Sequence, residues 1–345
     1  MDRILTISTK PIVIAGPCSA ENPMQLQQIA ASIAKDDRIS MMRCGVWKPR
    51  TRPGGFEGMG EPALRWISDL RKTYPTMRFC CEVARPEHIE LCLQYSMDAV
   101  WIGARTSVNP FLMGELAEAL RGTNLAVMVK NPITPDVDLW VGAVERLHAV
   151  GIEDLAAIHR GFATYNNLGY RNNPLWEIPI EMKRRMPKLP LLCDPSHIGG
   201  RSELVAQLSQ MALDLHFDGL MIECHPSPDD ALTDSLQQIR PSELTTLLDS
   251  LKIRQQGTTP GEMRRLREEL DMIDTQLLEL LSRRMKISFA IGNIKRKHNM
   301  PIFQPERWQQ VLDKQLEKGR SLGLDANFVK ELSEKIHGES LRQQE

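Results

Sequence analysis

The sequence predicts an α/β protein: a (β/α)8 barrel over residues 1–251, a linker at 252–260, and a small all-α three-helix domain over 261–345. Three observations carry this. Eight short apolar, β-branched runs alternate with amphipathic stretches of helical length up to about residue 251, and eight is the count that closes a parallel barrel. Four segments just past such runs hold chemically capable groups: Gly16-Pro17-Cys18-Ser19, Lys48-Pro49-Arg50-Thr51, Asp194-Pro195-Ser196-His197 and Glu223-Cys224-His225-Pro226. A barrel opens the carboxyl ends of all its strands onto one mouth, so segments of this kind gather there. Beyond the polar turn Gly257-Thr258-Thr259-Pro260 the strand signal stops. A doubly wound open sheet is the competing architecture, but it usually has fewer strands and one Gly-rich loop, and the chain contains no GxGxxG.

Taken in order, the expected strands are 11–16, 40–46, 78–84, 99–104, 126–130, 155–162, 191–197 and 219–225. Between them lie amphipathic stretches such as 86–95, 109–121 and 202–215. After the linker, residues 261–298 form one long helical pattern, with Leu266, Leu270, Ile273, Leu277 and Leu280 near i, i+3, i+4 spacing. Met300-Pro301 ends it. Helices follow at about 305–319 and 325–344, the second opened by an Asp325 cap after the turn at 319–323. So long a helix in so small a domain has too few neighbours in its own chain to cover its apolar stripe. It is expected to pack against a second copy, giving a homodimer through the helical domain.

Composition narrows the class. Hydrophobic residues make up 42% and charged residues 25% of the 345 positions, typical of a globular protein with a substantial core. The net charge of −1 gives no electrostatic reason to expect nucleic acid or an acidic membrane as partner. Residues 1–10 lack a signal-peptide core, and no later run approaches a transmembrane span. Seven cysteines is an odd number, and Cys44, Cys80, Cys81, Cys193 and Cys224 fall in apolar runs. They are expected to be buried reduced thiols in a cytoplasmic protein.

Cys18, His197, Glu223 and Asp234 offer one sulfur, one nitrogen and two oxygen donors. Such a mixed set suits Mn²⁺, Fe²⁺, Co²⁺ or Zn²⁺ better than Mg²⁺. Each also has a plain alternative: a packed thiol, a hydrogen-bonding loop histidine, a helix cap. His225 is a rival ligand, since it shares strand parity with Glu223. Arg43, Lys48, Arg50, Arg105, Lys130 and Arg160 all fall at or just past strand ends. One such cation is surface decoration; six converging on one mouth imply a substrate with more than one phosphate or carboxylate.

These residues lie in the motifs GPCSAE, MRCGVWKPRT, WIGART, VMVKN, HRG, CDPSHIGGR and GLMIECHPSPDDALTD. Together they resemble the type Iβ 3-deoxy-D-arabino-heptulosonate-7-phosphate (DAHP) synthases over nearly all of residues 11–250. The related 3-deoxy-octulosonate-8-phosphate synthases typically have Lys-Ala-Asn-Arg where this chain has Lys48-Pro49-Arg50-Thr51. The resemblance implies condensation of phosphoenolpyruvate with erythrose 4-phosphate, and a divalent metal, Mn²⁺ first, on Cys18, His197, Glu223 and Asp234 rather than His225. It implies phosphoenolpyruvate contacts from Arg43, Lys48, Arg105, Lys130 and Arg160, and erythrose 4-phosphate contacts from Pro49, Arg50 and Thr51. Asp194 is expected near the metal and Lys48, with Lys48 protonating the new alkoxide. His159 departs from the Glu that relatives often carry before Arg-Gly, at a position expected to orient the attacking water.

In the tail, Arg284 and Lys295 are eleven residues apart, so they share a helix face roughly 16 Å apart and bracket a small dianion. Arg267 lies about 100° round and on the order of 25 Å along the helix from Arg284, out of reach of that pocket unless a second chain supplies it. Residues 262–345 resemble the all-helical AroQ-type chorismate mutases. That resemblance implies substrate contacts from Arg267 of the second chain and from Arg284, Lys295, Gln304, Arg307, Ser340 and Gln344. Lys295 and Gln344 then polarise the breaking ether oxygen as chorismate becomes prephenate. Gln304 replaces the Asp of some members, and Trp308 the Glu that contacts the substrate hydroxyl.

The expected protein is therefore bifunctional. The alternative makes the tail a non-catalytic regulatory and dimerisation module. A nucleic-acid role for Lys295-Arg296-Lys297 is disfavoured, because residues 257–345 hold 16 basic against 14 acidic residues. With the first strand expected by residue 11, no N-terminal regulatory domain precedes the barrel, so the tail is the expected sensor and prephenate the expected inhibitor of the synthase.

Overall fold

The computed structural model describes residues 3–8, 10–49, 54–165, 169–254 and 260–344. It divides into two compact units, Met1–Gln255 and Gln256–Glu345. In the first, strands and helices follow in the order β1 (Ile12–Gly16), α1 (Pro23–Ile33), β2 (Ile39–Arg43), α2 (Glu61–Thr73), β3 (Phe79–Val83), α3 (Pro86–Gln94), β4 (Ala99–Ile102) and α4 (Pro110–Leu120). Then come β5 (Ala126–Lys130), α5 (Val137–Ala149), β6 (Leu155–His159), α6 (Glu177–Arg185), β7 (Leu191–Cys193), α7 (Pro195–Gly199), α8 (Val205–Asp214), β8 (Gly219–Glu223) and α9 (Pro241–Ser250). Among the described residues the eight strands close in sequence order into one parallel barrel, β8 pairing with β1.

Strand alternation separates two cores. Ile12, Ile14, Met41, Cys80, Ala99, Trp101, Ala126, Met128, Ala156, Ile158, Leu192 and Met221 fill the lumen, with Leu5 joining them from the N-terminal segment. The alternate residues, such as Val13, Ala15, Met42, Val100, Val127 and Leu220, pack outward against the helices. This parity decides what the mouth contains. Two residues beyond a lumen residue is another lumen residue, so Met41 leads to Arg43, Cys80 to Glu82, Met128 to Lys130, Ile158 to Arg160, Leu192 to Asp194 and Met221 to Glu223.

Several expected strands end early, and one ending has chemical consequence. Strand 191–197 stops at Cys193, and Pro195–Gly199 is helical instead. Pro195 occupies the first helical turn, where its fixed φ suits a helix, and the Asp194 carboxylate accepts the His197 amide N–H at 3.0 Å as an N-cap. Similarly, β2 ends at Arg43, β6 at His159 and β8 at Glu223, so residues 44–46, 160–162 and 224–225 lie beyond the ladder. All seven cysteines are buried and unpaired by disulfides.

The second unit holds α10 (Gly261–Lys297), α11 (Pro305–Ser321) and α12 (Ala326–Arg342). Asp325 caps α12 by accepting the Phe328 amide N–H at 2.9 Å. Gly292 of α10 lets the segment after α12 come close; a Cβ there would stand 2.6 Å from Gln344 Cα. Along α10, Leu266, Leu270, Ile273, Leu277 and Leu280 are 46–62% exposed. Among the described residues no helix is long and apolar enough to cross a membrane. Of the expected linker, residues 255–259 lie outside the described residues.

Candidate active sites

At the barrel mouth the lumen positions become charged. Gly16 pairs with Glu223 across β1 and β8, which brings Cys18, two residues on, beside that carboxylate. The donor atoms of Cys18, Glu223 and Asp234 lie within 4.8 Å of one another. His197 Nε2 faces the same space, 3.8 Å from Glu223 Oε1 and 4.0 Å from Asp234 Oδ2. On the far side of the imidazole, Nδ1 lies 2.8 Å from Asp194 Oδ2, an arrangement that keeps the proton on Nδ1 and a lone pair on Nε2. Burial first, and then Glu223, pushes the Cys18 thiol up to about 12, so ionising it calls for a cation. Thiol, imidazole and two carboxylates converging on one point fit a divalent transition ion. His225 faces elsewhere: its Nδ1 accepts the Ser227 amide N–H at 3.0 Å, and its Nε2 is 3.6 Å from Glu21.

The cations around this group are partly prepaired. Arg43, fully buried, donates to Glu223 Oε1 at 2.8 Å and lies 3.9 Å from Asp194. Burial works against its charge, but Glu223 and Asp194 more than offset this and raise its pKa. Lys130 Nζ donates to Asp194 at 2.7 Å. Both cations lie over the Trp101 ring, at 5.0 and 5.8 Å, so one indole floors the site. Lys48 Nζ is 3.2 Å from Cys18 Sγ; burial opposes its charge, while Cys18, Glu82 and Glu223 raise its pKa. Gly45 allows this approach, because a Cβ there would meet the Cys18 carbonyl at 1.9 Å and Lys48 Nζ at 2.8 Å.

A cavity of about 560 Å³ opens above, lined by Lys48, Pro49, Glu82, Arg105, Arg160, Arg171, His197 and Asp234 among others. Burial pulls the Arg160 guanidinium down to about 10, leaving it charged at neutral pH. Thus the structure gathers Cys18, Arg43, Lys48, Pro49, Arg105, Lys130, Arg160, Asp194, His197, Glu223 and Asp234 at one mouth. Arg50 and Thr51 lie outside the described residues.

Three further groups went unread in the sequence. Glu82 shares the lumen parity of Cys80 and was legible from it. Arg171 lies in the segment after β6 and forms an ion pair with Asp234 at 2.9 Å, with no pattern to announce it. Gln237 donates to Glu223 at 2.6 Å. His159 corrects an expectation. It has the outward parity, and its ring is buried among Trp140, Phe162, Trp176 and Phe217, with centroids 5.3–6.4 Å away. It therefore does not face the cavity to orient water.

In the helical unit, Arg284 donates to Ser340 Oγ, and Lys295 Nζ donates to Gln344 Oε1 at 2.8 Å. Ser340 and Gln344 are both buried. Arg307 donates to Gln310 on its own helix at 3.3 Å, Gln304 is the N-cap residue of α11, and Arg267 is exposed. The contacts described do not tie these three to the Arg284–Lys295 group.

Residues 5–258 match the DAHP synthetase I family, and residues 266–345 match chorismate mutase type II. A phospho-2-dehydro-3-deoxyheptonate aldolase of Thermotoga maritima is 30% identical over 227 residues, 66% of this chain and 64% of that protein. The matched stretch thus falls short of two thirds of that relative's length. A crystal structure of the aldolase of that name from Thermotoga maritima superposes with a TM-score of 0.61 at 28% identity, covering 75% of this chain and 70% of that one. A 4-amino-4-deoxychorismate mutase of Streptomyces venezuelae is 35% identical over 85 residues, 25% of this chain and 82% of that protein.

Proposed function

We propose, for a chain that belongs to the DAHP synthetase I family and ends in a chorismate mutase type II domain, that residues 1–251 condense phosphoenolpyruvate with erythrose 4-phosphate and residues 261–345 rearrange chorismate to prephenate. The observation that carries the first half is the convergence of a metal-ligand set and a cation-lined cavity at the barrel mouth. When bound by Cys18, His197, Glu223 and Asp234, a divalent cation supplies Lewis-acid polarisation of the aldehyde oxygen.

The chain's own residues do the rest. Arg105 and Arg160, beside Lys130, hold the phosphate and carboxylate of phosphoenolpyruvate, while Pro49, Arg50 and Thr51 position the aldose phosphate. Carbon 3 of phosphoenolpyruvate attacks the aldehyde carbon, and Lys48 gives its proton to the alkoxide that forms. Water adds to carbon 2 and inorganic phosphate leaves. Glu82, the carboxylate on the cavity wall, is the group placed to hold that water, in the role His159 cannot fill.

In the helical unit the Arg284–Ser340 and Lys295–Gln344 pairs support the reading as a dicarboxylate pocket. The rearrangement is unimolecular, so restraining a compact conformer and placing Lys295 and Gln344 at the ether oxygen suffice. The exposed leucine stripe of α10 supports a dimer in which Arg267 completes the pocket of the other chain. We assign feedback control to prephenate bound in this unit. The test assays purified protein with each substrate set, before and after chelator and with added prephenate. Chelator should abolish DAHP formation and spare prephenate formation, and prephenate should slow the synthase. Full DAHP formation by metal-free protein refutes the metal assignment.

A further inference from the structure

On α12, His337 and Ser340 stand at i and i+3, so they lie on one helix face, and Gln344 follows just beyond the end of that helix. Ser340 meets Arg284 and Gln344 meets Lys295; His337 stands one turn before the first of these contacts. Its imidazole is stacked on the Trp308 indole, with centroids 4.0 Å apart and planes 14° from parallel, and the Phe303 ring lies 5.9 Å away. Among the described residues its Nε2 is buried with no hydrogen-bond partner. The elements around it differ in charge: α11 and the turn before it bring the neutral Trp308 and Phe303, and α10 brings Arg284 and Lys295. Burial first, then those two cations, lowers the pKa of His337, and no carboxylate is among the causes.

We propose that His337 is the proton-linked member of this anion site: a small dicarboxylate bound by Arg284 and Lys295 takes up a proton from solvent onto His337 as it binds. The proposal rests on the reading of the helical unit as a chorismate and prephenate site. Two carboxylates neutralise the two cations whose repulsion adds to burial in disfavouring the proton on the ring. An imidazolium then gains attraction to the ligand and to the face of the indole beneath it. Because binding raises proton affinity, a proton must raise ligand affinity by the same factor. Affinity therefore increases as pH falls through the range where histidine titrates. A tenfold rise in proton affinity on binding corresponds to at most tenfold tighter binding once pH falls below the range where the ring titrates.

The experiment uses the full chain and prephenate as probe. Calorimetric titrations at pH 8 and pH 6, each in two buffers of different ionisation heat, give both Kd and the protons taken up per ligand. Wild type should bind several-fold more tightly at pH 6 than at pH 8 and take up a fraction of a proton per prephenate between them. His337→Phe, which keeps a ring on Trp308, should lose the pH dependence of Kd and take up essentially no proton. His337→Asn serves as the second variant if circular dichroism shows the first misfolded. Wild-type binding that is flat with pH, or undiminished uptake in a folded variant, overturns the proposal while leaving the mutase reading in place. A wild-type chain that neither binds prephenate nor converts chorismate at either pH overturns both.

Discussion

Replacing Asp194 by Asn tests the barrel site at the residue that orders it. The carboxylate accepts the His197 amide N–H at 3.0 Å, faces His197 Nδ1 at 2.8 Å and receives Lys130 Nζ at 2.7 Å. An asparagine keeps the cap, because its carbonyl oxygen still accepts the amide N–H. Its NH2 then replaces Oδ2, the oxygen that meets both the Lys130 ammonium and the Nδ1 proton. Meeting Nδ1, it favours the other tautomer and places the proton on Nε2, the atom 3.8–4.0 Å from Glu223 and Asp234. A protonated Nε2 cannot ligate. Loss of such an orienting partner typically weakens metal affinity 10- to 100-fold, about 1.4–2.7 kcal/mol. The assay is Mn²⁺ titration of chelator-stripped protein against a fluorescent competitor, with circular dichroism as the fold control. Lys130 also loses its buried carboxylate, so a fall in stability of roughly 3 kcal/mol is expected in the metal-free protein. A folded Asp194→Asn protein whose Mn²⁺ affinity lies within twofold of wild type would refute the reasoning.

Three further outcomes are expected. His159 is buried and held neutral, its pKa pulled from 6.5 to about 3 by burial and then Arg160; the unfolded chain binds that proton first, so stability falls as pH drops from 6.5 towards 3, by at most roughly 5 kcal/mol. His159→Leu should remove this part of the acid sensitivity in denaturant titrations from pH 7 to 4 and keep synthase turnover; lost turnover in a stable variant would return His159 to the chemistry. Gly45→Ala should cost on the order of 1–3 kcal/mol by overpacking and depress metal affinity, since its Cβ collides with the Cys18 carbonyl; unchanged metal affinity would show that Cys18 is not held by this contact. Arg267→Ala and Lys295→Ala should each be nearly inactive mutases, yet equal mixing and reassembly should restore about a quarter of wild-type activity, since half the dimers are mixed and each has one intact pocket; no recovery argues that each chain builds its own pocket.

The barrel was legible because short apolar, β-branched runs and strand-terminal charges are local signals. Cys18, Glu223 and the basic strand ends could all be read one residue at a time. Pairing could not. That Arg43 spends its charge on Glu223, or that Arg171, after β6, reaches Asp234, after β8, depends on closure of the barrel, to which sequence spacing is blind. The same limit explains the strand 191–197. Its apolar run was visible, but the decision between strand and helix at Asp194 is made by a cap and a proline, and the apolar pattern outweighed both. His159 shows the opposite failure. Its neighbour Arg160 has lumen parity, so His159 must face outward, and strand parity, which placement at strand ends alone does not weigh, excludes it from the cavity.

The two candidate sites would hold polyanions by different electrostatics. In the barrel, Arg43 and Lys130 are removed from water and would be costly alone; Glu223 and Asp194 neutralise them at hydrogen-bond distance. Substrate charge must then be met by cations less fully committed to carboxylates, and Arg105 and Arg160 on the cavity wall fit that need. In the helical unit Arg284 and Lys295 are propped by Ser340 and Gln344, which orient them without cancelling charge. The pocket is left net positive, close to a histidine, and an incoming dianion is the first group to neutralise it. On the proposed reading, protonation in the barrel is buffered by internal ion pairs, whereas in the helical unit it would be set by the ligand. This difference makes the pH profile of the mutase the more sensitive report of what its pocket contains.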